Sequence, residues 1–277
     1  MSDPKLDLQI EGAPSKTLQA EVREFYKKSE EYCQVLSAER EEFFQRYLGL
    51  IDRYASKCQK VLDAGCGTGL STHLLSQKKE KVVGIDLSPL FLQKGRQKLG
   101  RPDLPLVAGD LLSLPFKSNS FDLVVMYLVI EVLPDAEQAL REMMRVLRPG
   151  GTFIIYNANL LSPLWPWRDF WRMLFGGASR PVWCDRKRSA LRLFWKNFCL
   201  SIQKTFEKKP HFLYRTPDMK YDKVVGHGRE SFYLACPTDI TLFLKQHGFR
   251  ILYRASHTLI DKLIPAFSYT VEIAAVK

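Results

Sequence analysis

The chain has 277 residues, of which 46% are hydrophobic and 26% are charged, and its formal net charge is +11. This length allows one large α/β domain with an insert, and this composition excludes an intrinsically disordered chain, which lacks the apolar residues that a core requires. The longest strongly apolar run, at 123–130, is far shorter than the ~20 residues of a membrane-spanning helix.

The cysteines and the N-terminus bear on the cellular compartment. Six cysteines are scattered without CxxC or CxH spacing, which favours free thiols over a disulfide framework or a zinc site, so we expect no metal. The first residues contain no apolar stretch of the length that a secretory signal needs. We therefore expect a cytoplasmic protein.

The first 55 residues form a segment of their own. Residues 16–55 are rich in Glu, Lys, Gln and Leu, a composition that favours one or two amphipathic helices. We predict an N-terminal helical segment at 1–55, ahead of the main domain.

From residue 60 onward, short apolar runs alternate with amphipathic stretches, as the βα units of a parallel sheet require. The amphipathic stretches predict helices at 70–77, 89–98 and 135–146, and the third connection is too short for a well-formed helix. After the last of these helices, Pro149 and Gly150 are expected to stop the helix and turn the chain into the sheet. The five predicted strands are 60–64, 81–86, 104–110, 121–127 and 151–157.

The C-terminal part predicts the end of the sheet. A helix at 237–247 is followed by two strand-like runs, at 249–256 and 267–276, which suggest an antiparallel hairpin at the sheet edge. The fold class is thus α/β, with a Rossmann-like, seven-stranded mixed sheet flanked by helices. Its core comprises 56–157 and 233–277, and 158–232 form a helical cap insert.

A glycine-rich loop follows the first strand. Gly65, Gly67 and Gly69 alternate with other residues between an apolar strand and a helix. Residues without a Cβ allow a sharp turn and a close approach of backbone to ligand, and the helix start offers free N–H groups. The loop is suited to holding a nucleotide.

Two acidic residues mark the ends of the next two strands. Asp86 lies 21 residues after Gly65, a spacing at which a carboxylate can accept hydrogen bonds from both ribose hydroxyls. Asp110 ends the third strand, where it could receive the exocyclic amine of adenine. A single glycine pair could be a simple turn, but the ordered set favours an adenosyl ligand.

The pattern at residues 61–69, VLDAGCGTG, differs from the GxGxxG of dinucleotide sites and has Asp63 two residues before the first glycine. It closely resembles the first motif of class I S-adenosylmethionine-dependent methyltransferases. The run at 121–135, FDLVVMYLVIEVLPD, resembles the fourth motif of the branch that includes quinone-biosynthesis enzymes, with Val132 in place of the usual histidine. The resemblance covers residues 20–157 and, more weakly, 237–277.

The resemblance implies S-adenosylmethionine as cofactor and a role for each matching position. The glycines would hold the methionine part, Asp86 the ribose and Asp110 the adenine, while Asp63 would support the amine indirectly. Tyr26, in an N-terminal run that resembles the family's first helix, would close over the cofactor. The full set of expected cofactor contacts is Tyr26, Asp63, Ala64, Gly65, Cys66, Gly67, Asp86, Leu87, Asp110, Leu111 and Met126.

Catalytic candidates are fewer, because methyl transfer from a sulfonium depends mainly on holding the acceptor in line. A base helps where the acceptor is a hydroxyl or an acidic C–H. Tyr127 and Glu131 lie near the cofactor motifs, and His227 lies between two glycines in the insert. These three residues are the candidates.

The cap insert has an unusual composition. All five tryptophans fall within 165–195, and residues 160–210 contain eleven Lys or Arg against three Asp or Glu, which accounts for +8 of the net charge. Apolar residues at helical spacing, parallel to a basic stripe, predict a basic amphipathic helix. The apolar positions are Leu191, Trp195, Phe198, Ile202 and Phe206, and the basic ones are Arg188, Arg192 and Lys196.

Three interpretations of this insert stay open: peripheral membrane contact through 160–206, a cap packed on the core, and RNA binding. Amino-methylating nucleobase enzymes carry a Pro-Pro motif after the fourth strand, which this chain lacks, so nucleic acid is disfavoured but not excluded. We predict methyl transfer to a small, lipophilic, quinone-, isoprenoid- or lipid-like acceptor. The alternatives are an RNA methyltransferase and a non-catalytic S-adenosylmethionine-binding regulator.

Overall fold

The computed structural model describes residues 16–175, 187–214, 233–255, 263 and 267–277. In this part of the chain, a seven-stranded sheet has the order β3-β2-β1-β4-β5-β7-β6. The first five strands pair in parallel, and β7 pairs antiparallel with both β5 and β6. The strands are β1 (Lys60–Ala64), β2 (Lys81–Asp86), β3 (Leu106–Ala108), β4 (Phe121–Tyr127), β5 (Leu147–Ala158), β6 (Arg250–Arg254) and β7 (Thr270–Val276).

Helices cover the sheet and precede it. The N-terminal segment folds as two α-helices, a short 3-10 helix at 41–44 and a third α-helix. The cap insert contributes α7 and α8 in the described residues. The α-helices are α1 (Lys16–Lys28), α2 (Glu30–Ser37), α3 (Gln45–Tyr54), α4 (Leu70–Ser76), α5 (Pro89–Leu99), α6 (Ala136–Val146), α7 (Leu164–Phe175), α8 (Lys187–Phe206) and α9 (Pro237–Gln246).

Both faces of the sheet are covered by apolar packing. On β4, Leu123 and Val125 face a cluster that contains Tyr47 of α3 and Leu74 of α4. Val124, between them, faces the opposite cluster, which includes much of α6. Two-sided burial explains why β4 is a nearly continuous apolar run.

Local signals set the start of two helices that follow strand ends. The Ser88 hydroxyl accepts a hydrogen bond from the Phe91 N–H, and Pro89 occupies the first turn of α5. The Asp135 carboxylate caps α6 by accepting from the Gln138 N–H at 2.9 Å. These caps fix where the chain leaves the sheet edge that carries the glycine loop.

The mixed parallel and antiparallel sheet is confirmed, and the strand order places β7 between β5 and the edge strand β6. The predicted bounds differ from the structure at four strands: β6 and β7 are shorter than predicted, and β3 and β5 change as follows. β3 is limited to 106–108, and β5 begins at Leu147 rather than 151. Gly150, at φ +74°, lies inside β5, where its N–H donates to the Lys277 carbonyl. The Pro149–Gly150 pair therefore forms an irregular strand start, paired to the C-terminus.

Candidate functional site

The loop between β1 and α4 lies at the carboxyl edge of the parallel strands. Gly65, Gly67 and Gly69 all adopt left-handed backbone conformations, with φ of +78°, +55° and +80°. A Cβ on Gly65 would lie 2.4 Å from Cγ2 of Val129, just after β4. Glycine is thus required both by conformation and by the close approach of two strand ends.

Asp86, at the end of β2, is fixed against this loop. Its carboxylate accepts hydrogen bonds from the Gly67 N–H and the Ser88 N–H, both at 2.9 Å. Burial raises the pKa of Asp86, and the backbone donors act in the opposite direction. The side chain is therefore held beside the glycine loop, facing the cavity described below.

Asp63 is buried beneath the loop. Its carboxylate accepts hydrogen bonds from the hydroxyls of Ser71, at 2.5 Å, and Thr72, at 2.7 Å. Burial raises the pKa of Asp63 to about 6. Ser71 lines the cavity while Asp63 does not, so any influence of Asp63 on a ligand passes through neighbouring groups.

Asp110, after β3, contacts the N-terminal segment. Its carboxylate forms an ion pair with Arg23 of α1 at 2.9 Å and accepts a hydrogen bond from the Leu112 N–H. Tyr26, one turn later on α1, is buried and packs edge-on against Tyr32. The N-terminal helices therefore close one side of the site.

These groups surround a cavity of about 370 Å³, a volume typical of small-molecule sites. Most predicted cofactor residues line it, together with Tyr127 and Glu131, whereas Asp63, Ala64 and Met126 are buried behind the lining. Any contact from those three stays a prediction. The predicted cofactor residues in the lining are Tyr26, Gly65, Cys66, Gly67, Asp86, Leu87, Asp110 and Leu111.

The charges that line the cavity indicate the kind of ligand it accepts. Among the described residues, four carboxylates and one guanidinium line it, and the guanidinium of Arg23 is already paired with Asp110. Such a lining disfavours the phosphates of a dinucleotide and favours a ligand with positive charge. S-adenosylmethionine, which has a sulfonium, an ammonium and no phosphate, fits these residues and the glycine cradle.

Tyr127, one of the catalytic candidates, is held by contacts on its hydroxyl and on its ring. Its hydroxyl donates to the Phe43 carbonyl at 3.0 Å, and its ring stacks on Tyr156 at 5.2 Å. Burial raises the pKa of Tyr127 above its ordinary value. These contacts tie β4 to the N-terminal segment and disfavour proton abstraction by this hydroxyl.

Glu131 occupies the cavity wall beyond β4. Its carboxylate accepts a hydrogen bond at 2.8 Å from Nδ2 of Asn157, a fully buried residue at the end of β5. Leu128, which precedes Glu131 by three residues, has a left-handed φ of +54°. This conformation is uncommon for leucine and strains the backbone of the cavity wall. The third candidate, His227, lies outside the described residues.

Several lining residues were not predicted from the sequence. Five of them come from the N-terminal segment, which supplies Arg23, Tyr32, Leu36, Glu39 and Phe44. No spacing signal links these positions to the glycine loop, because their proximity is created by the packing of α1 and α2 on α5. The aromatic run at 25–32 was the one sequence signal in this region.

Known proteins that resemble this chain support S-adenosylmethionine as the cofactor. A methyltransferase domain family matches residues 62–155. A probable S-adenosylmethionine-dependent methyltransferase from Mycolicibacterium smegmatis is 36% identical over 127 residues, which cover 45% of this chain and 49% of that protein. A demethylmenaquinone methyltransferase from Paenarthrobacter aurescens is 38% identical over 108 residues, or 39% and 42% of the two chains. The chain thus spans less than half the length of these two relatives.

A solved structure agrees over a longer range. A protein from Pyrococcus horikoshii aligns with a TM-score of 0.57 over 91% of this chain and 98% of its own, at 21% identity, which bears on the fold alone. The glycine loop and the two strand-end carboxylates lie within the matched residues, and they line the same cavity. Residues 62–155 thus form a domain that is similar to S-adenosylmethionine-dependent methyltransferases.

Proposed function

We propose that this protein transfers a methyl group from S-adenosylmethionine to a small, lipophilic acceptor. The observation that carries the proposal is that one cavity combines two kinds of wall. The glycine loop, Asp86 and Asp110 form a polar wall suited to an adenosyl group. The remaining wall is apolar, and it includes Phe44, Leu128, Val129, Val132, Leu133 and Leu160.

The cofactor supplies an activated methyl group on its sulfonium. The protein's own residues then have to hold the acceptor in line and keep water out. The apolar wall performs both tasks for a flat or chain-like molecule. Glu131, held by Asn157, is an acidic side chain in the same cavity lining, and we propose that it orients a polar group of the acceptor or takes its proton.

A quinone-like acceptor is the most specific candidate. Several relatives are named demethylmenaquinone methyltransferases, although each matches this chain over a limited part of its length. A quinone precursor has a planar, apolar ring with polar oxygens. The apolar wall and the single carboxylate of Glu131 suit such a molecule.

Peripheral contact with an anionic membrane is the second part of the proposal. We define the aromatic face as Trp167, Trp171 and Phe175 of α7 with Trp195 and Phe206 of α8. These side chains are exposed, Phe175 by 76% and Phe206 by 78%. The rings of α7 follow each other at 5.1 to 5.5 Å, and Phe194 joins them to Trp195.

The charge near the aromatic face points to the same partner. Arg188 and Arg192 on α8 are exposed, and cations near exposed tryptophans are typical of segments that rest on anionic headgroups. Among the described residues, no helix is long and apolar enough to cross a bilayer. We propose that the face rests on the lipid surface from which a lipophilic acceptor is taken.

The test is a transfer assay with labelled S-adenosylmethionine and demethylmenaquinone in anionic vesicles. Label should enter the extracted quinone with the wild type. Asp86→Ala should reduce the rate at low cofactor concentration by about 10- to 100-fold, because it removes the carboxylate that fixes the ribose. Asp103→Ala, at an exposed carboxylate outside the cavity, is the matched control.

The other outcomes separate the alternatives. Label in RNA but not in quinone would replace the proposed acceptor. Cofactor binding with no transfer to quinone, lipid extract or RNA would favour a non-catalytic regulator. Equal flotation of the protein with anionic and neutral vesicles would contradict the electrostatic part of the membrane proposal.

A further inference from the structure

The turn after α2 runs over the glycine loop. Leu36, in α2, lies above Gly67, and a Cβ added to Gly67 would be 3.2 Å from Cδ1 of Leu36. Glu39 follows three residues later, and its half-buried side chain lines the cavity. The N-terminal segment thus places a carboxylate at the glycine-loop end of the site.

In the described part of the chain, the contacts of this carboxylate are few. Within the described residues, Glu39 takes part in no ion pair and accepts no side-chain hydrogen bond. The one cation that acts on it is Lys98 of α5, which is exposed and donates to the Ser37 carbonyl. Glu39 is therefore available to a ligand.

Titratable groups on β1, β4 and α5 interact with Glu39. Asp63 of β1 lies on the loop side, Tyr127 of β4 on the sheet side and Lys98 on the α5 side. Asp86 of β2 acts on Asp63 in turn. Burial and the repulsion from Asp63 raise the pKa of Glu39 to about 7, and Lys98 opposes them.

The cavity is therefore electrostatically asymmetric. At the glycine-loop end, Glu39 and Asp63 interact without a buried cation between them. At the other end, Asp110 is neutralised by Arg23. S-adenosylmethionine has a matching asymmetry, because the ammonium, carboxylate and sulfonium of its methionine end sum to a net positive charge, whereas its adenosine is neutral.

We propose that Glu39 binds the α-ammonium group of the cofactor and thereby orients the methionine end toward the glycine loop. The inference rests on the proposed function, and it assigns to the N-terminal segment a positioning residue that the family motifs do not contain. Glu39 acts on binding, and it takes no part in the bond changes at the methyl group.

Binding of an ammonium group by Glu39 should depend on pH. A cation beside Glu39 favours its ionised form, so binding releases the proton that Glu39 holds at low pH. Affinity for an ammonium-bearing ligand should then rise as the pH rises toward about 7 and level off above it. S-adenosylhomocysteine is the probe of choice, because without a sulfonium its ammonium stays charged through this range.

The experiment is calorimetric titration of the wild type, Glu39→Gln and the exposed control Glu42→Gln at pH 5.5 to 7.5. S-adenosylhomocysteine is compared with 5′-methylthioadenosine, which lacks the amino-acid end. At pH 7.5 we expect Glu39→Gln to bind S-adenosylhomocysteine about tenfold more weakly. We expect its affinity for methylthioadenosine to match the wild type and its proton release to be reduced.

Two results would overturn the inference. One is wild-type affinity and proton release in Glu39→Gln. The other is an equal loss for both ligands, which would indicate a packing role for the side chain. A wild type that binds neither adenosyl ligand would refute the proposed function itself, and so the two failures are distinguishable.

Discussion

Helices α6 and α8 are both amphipathic, but they are attached to the protein in opposite ways. α6 buries its apolar side chains, including Leu140 and Met143, and exposes Arg141. α8 buries only two apolar side chains, Ala190 and Leu193, beside four polar ones, and it leaves Trp195 59% exposed. Apolar periodicity therefore identifies a helix, but it does not show which face of the helix packs against the core.

Hydrogen bonds and a buried ion pair hold α8. Asn197 Nδ2 donates to the carbonyls of Leu160 and Ser162, and the Ser201 hydroxyl donates to the Leu161 carbonyl. Lys204 pairs with Asp239 of α9 at 2.9 Å. Because Leu160 also lines the cavity, the attachment of α8 is adjacent to the apolar wall of the cavity.

The largest expected effect breaks this attachment. Lys204 is 1% exposed, and Asp239 is fully buried. Lys204→Ala would leave the Asp239 carboxylate without its cation and should lower the free energy of unfolding by about 3–5 kcal/mol, measured by urea denaturation. Arg192→Ala, on the exposed side of the same helix, should change it by less than about 0.5 kcal/mol. A loss below about 1 kcal/mol in Lys204→Ala would argue against the ion pair as the anchor.

The next effect concerns the glycine loop, where the close packing of Gly65 against Val129 leaves no room for a larger residue. Gly65→Ala combines a left-handed φ with a clash against Val129. It should weaken binding of S-adenosylhomocysteine by about 10- to 100-fold, or about 1.4 to 2.7 kcal/mol, in calorimetric titration. Gly49→Ala, on α3 with nothing within 4 Å of the added Cβ, should bind as the wild type does. Equal affinity of the two variants would contradict the close approach at Gly65.

The smallest stability effect is expected on the aromatic face. The double variant Trp195→Ser, Phe206→Ser should change the free energy of unfolding by less than about 0.5 kcal/mol, because both rings are exposed. Leu140→Ala on α6 should cost about 2–5 kcal/mol. The double variant should nonetheless lose most of its flotation with anionic vesicles. A variant that floats as well as the wild type would remove the aromatic face from the membrane proposal.

Sequence reasoning succeeded where structure is set locally. The strand pattern, the glycine loop and the strand-end positions of Asp86 and Asp110 follow from periodicity and spacing, and the structure places them together. The helix at α8 was also predicted, whereas α7 was not, because Pro163 and Pro166, before and within its first turn, and its tryptophans obscure the helical pattern.

Other features depend on long-range packing. The residues that α1 and α2 bring to the cavity, Glu39 among them, are distant from the glycine loop in sequence. Met126 belongs to the buried core cluster and is not among the residues that line the cavity, so its predicted cofactor contact stays a prediction. The irregular start of β5 could not be foreseen, because it is set by pairing with Lys277, about 130 residues away.

The central claim is that this cavity binds an adenosyl sulfonium cofactor. Its most direct test is calorimetric titration of the purified wild-type protein with S-adenosylmethionine, S-adenosylhomocysteine and NAD. We expect micromolar binding of both adenosyl ligands, about −8 kcal/mol, and no binding of NAD, whose phosphates would face four carboxylates. Binding of NAD with no binding of the adenosyl ligands would contradict it.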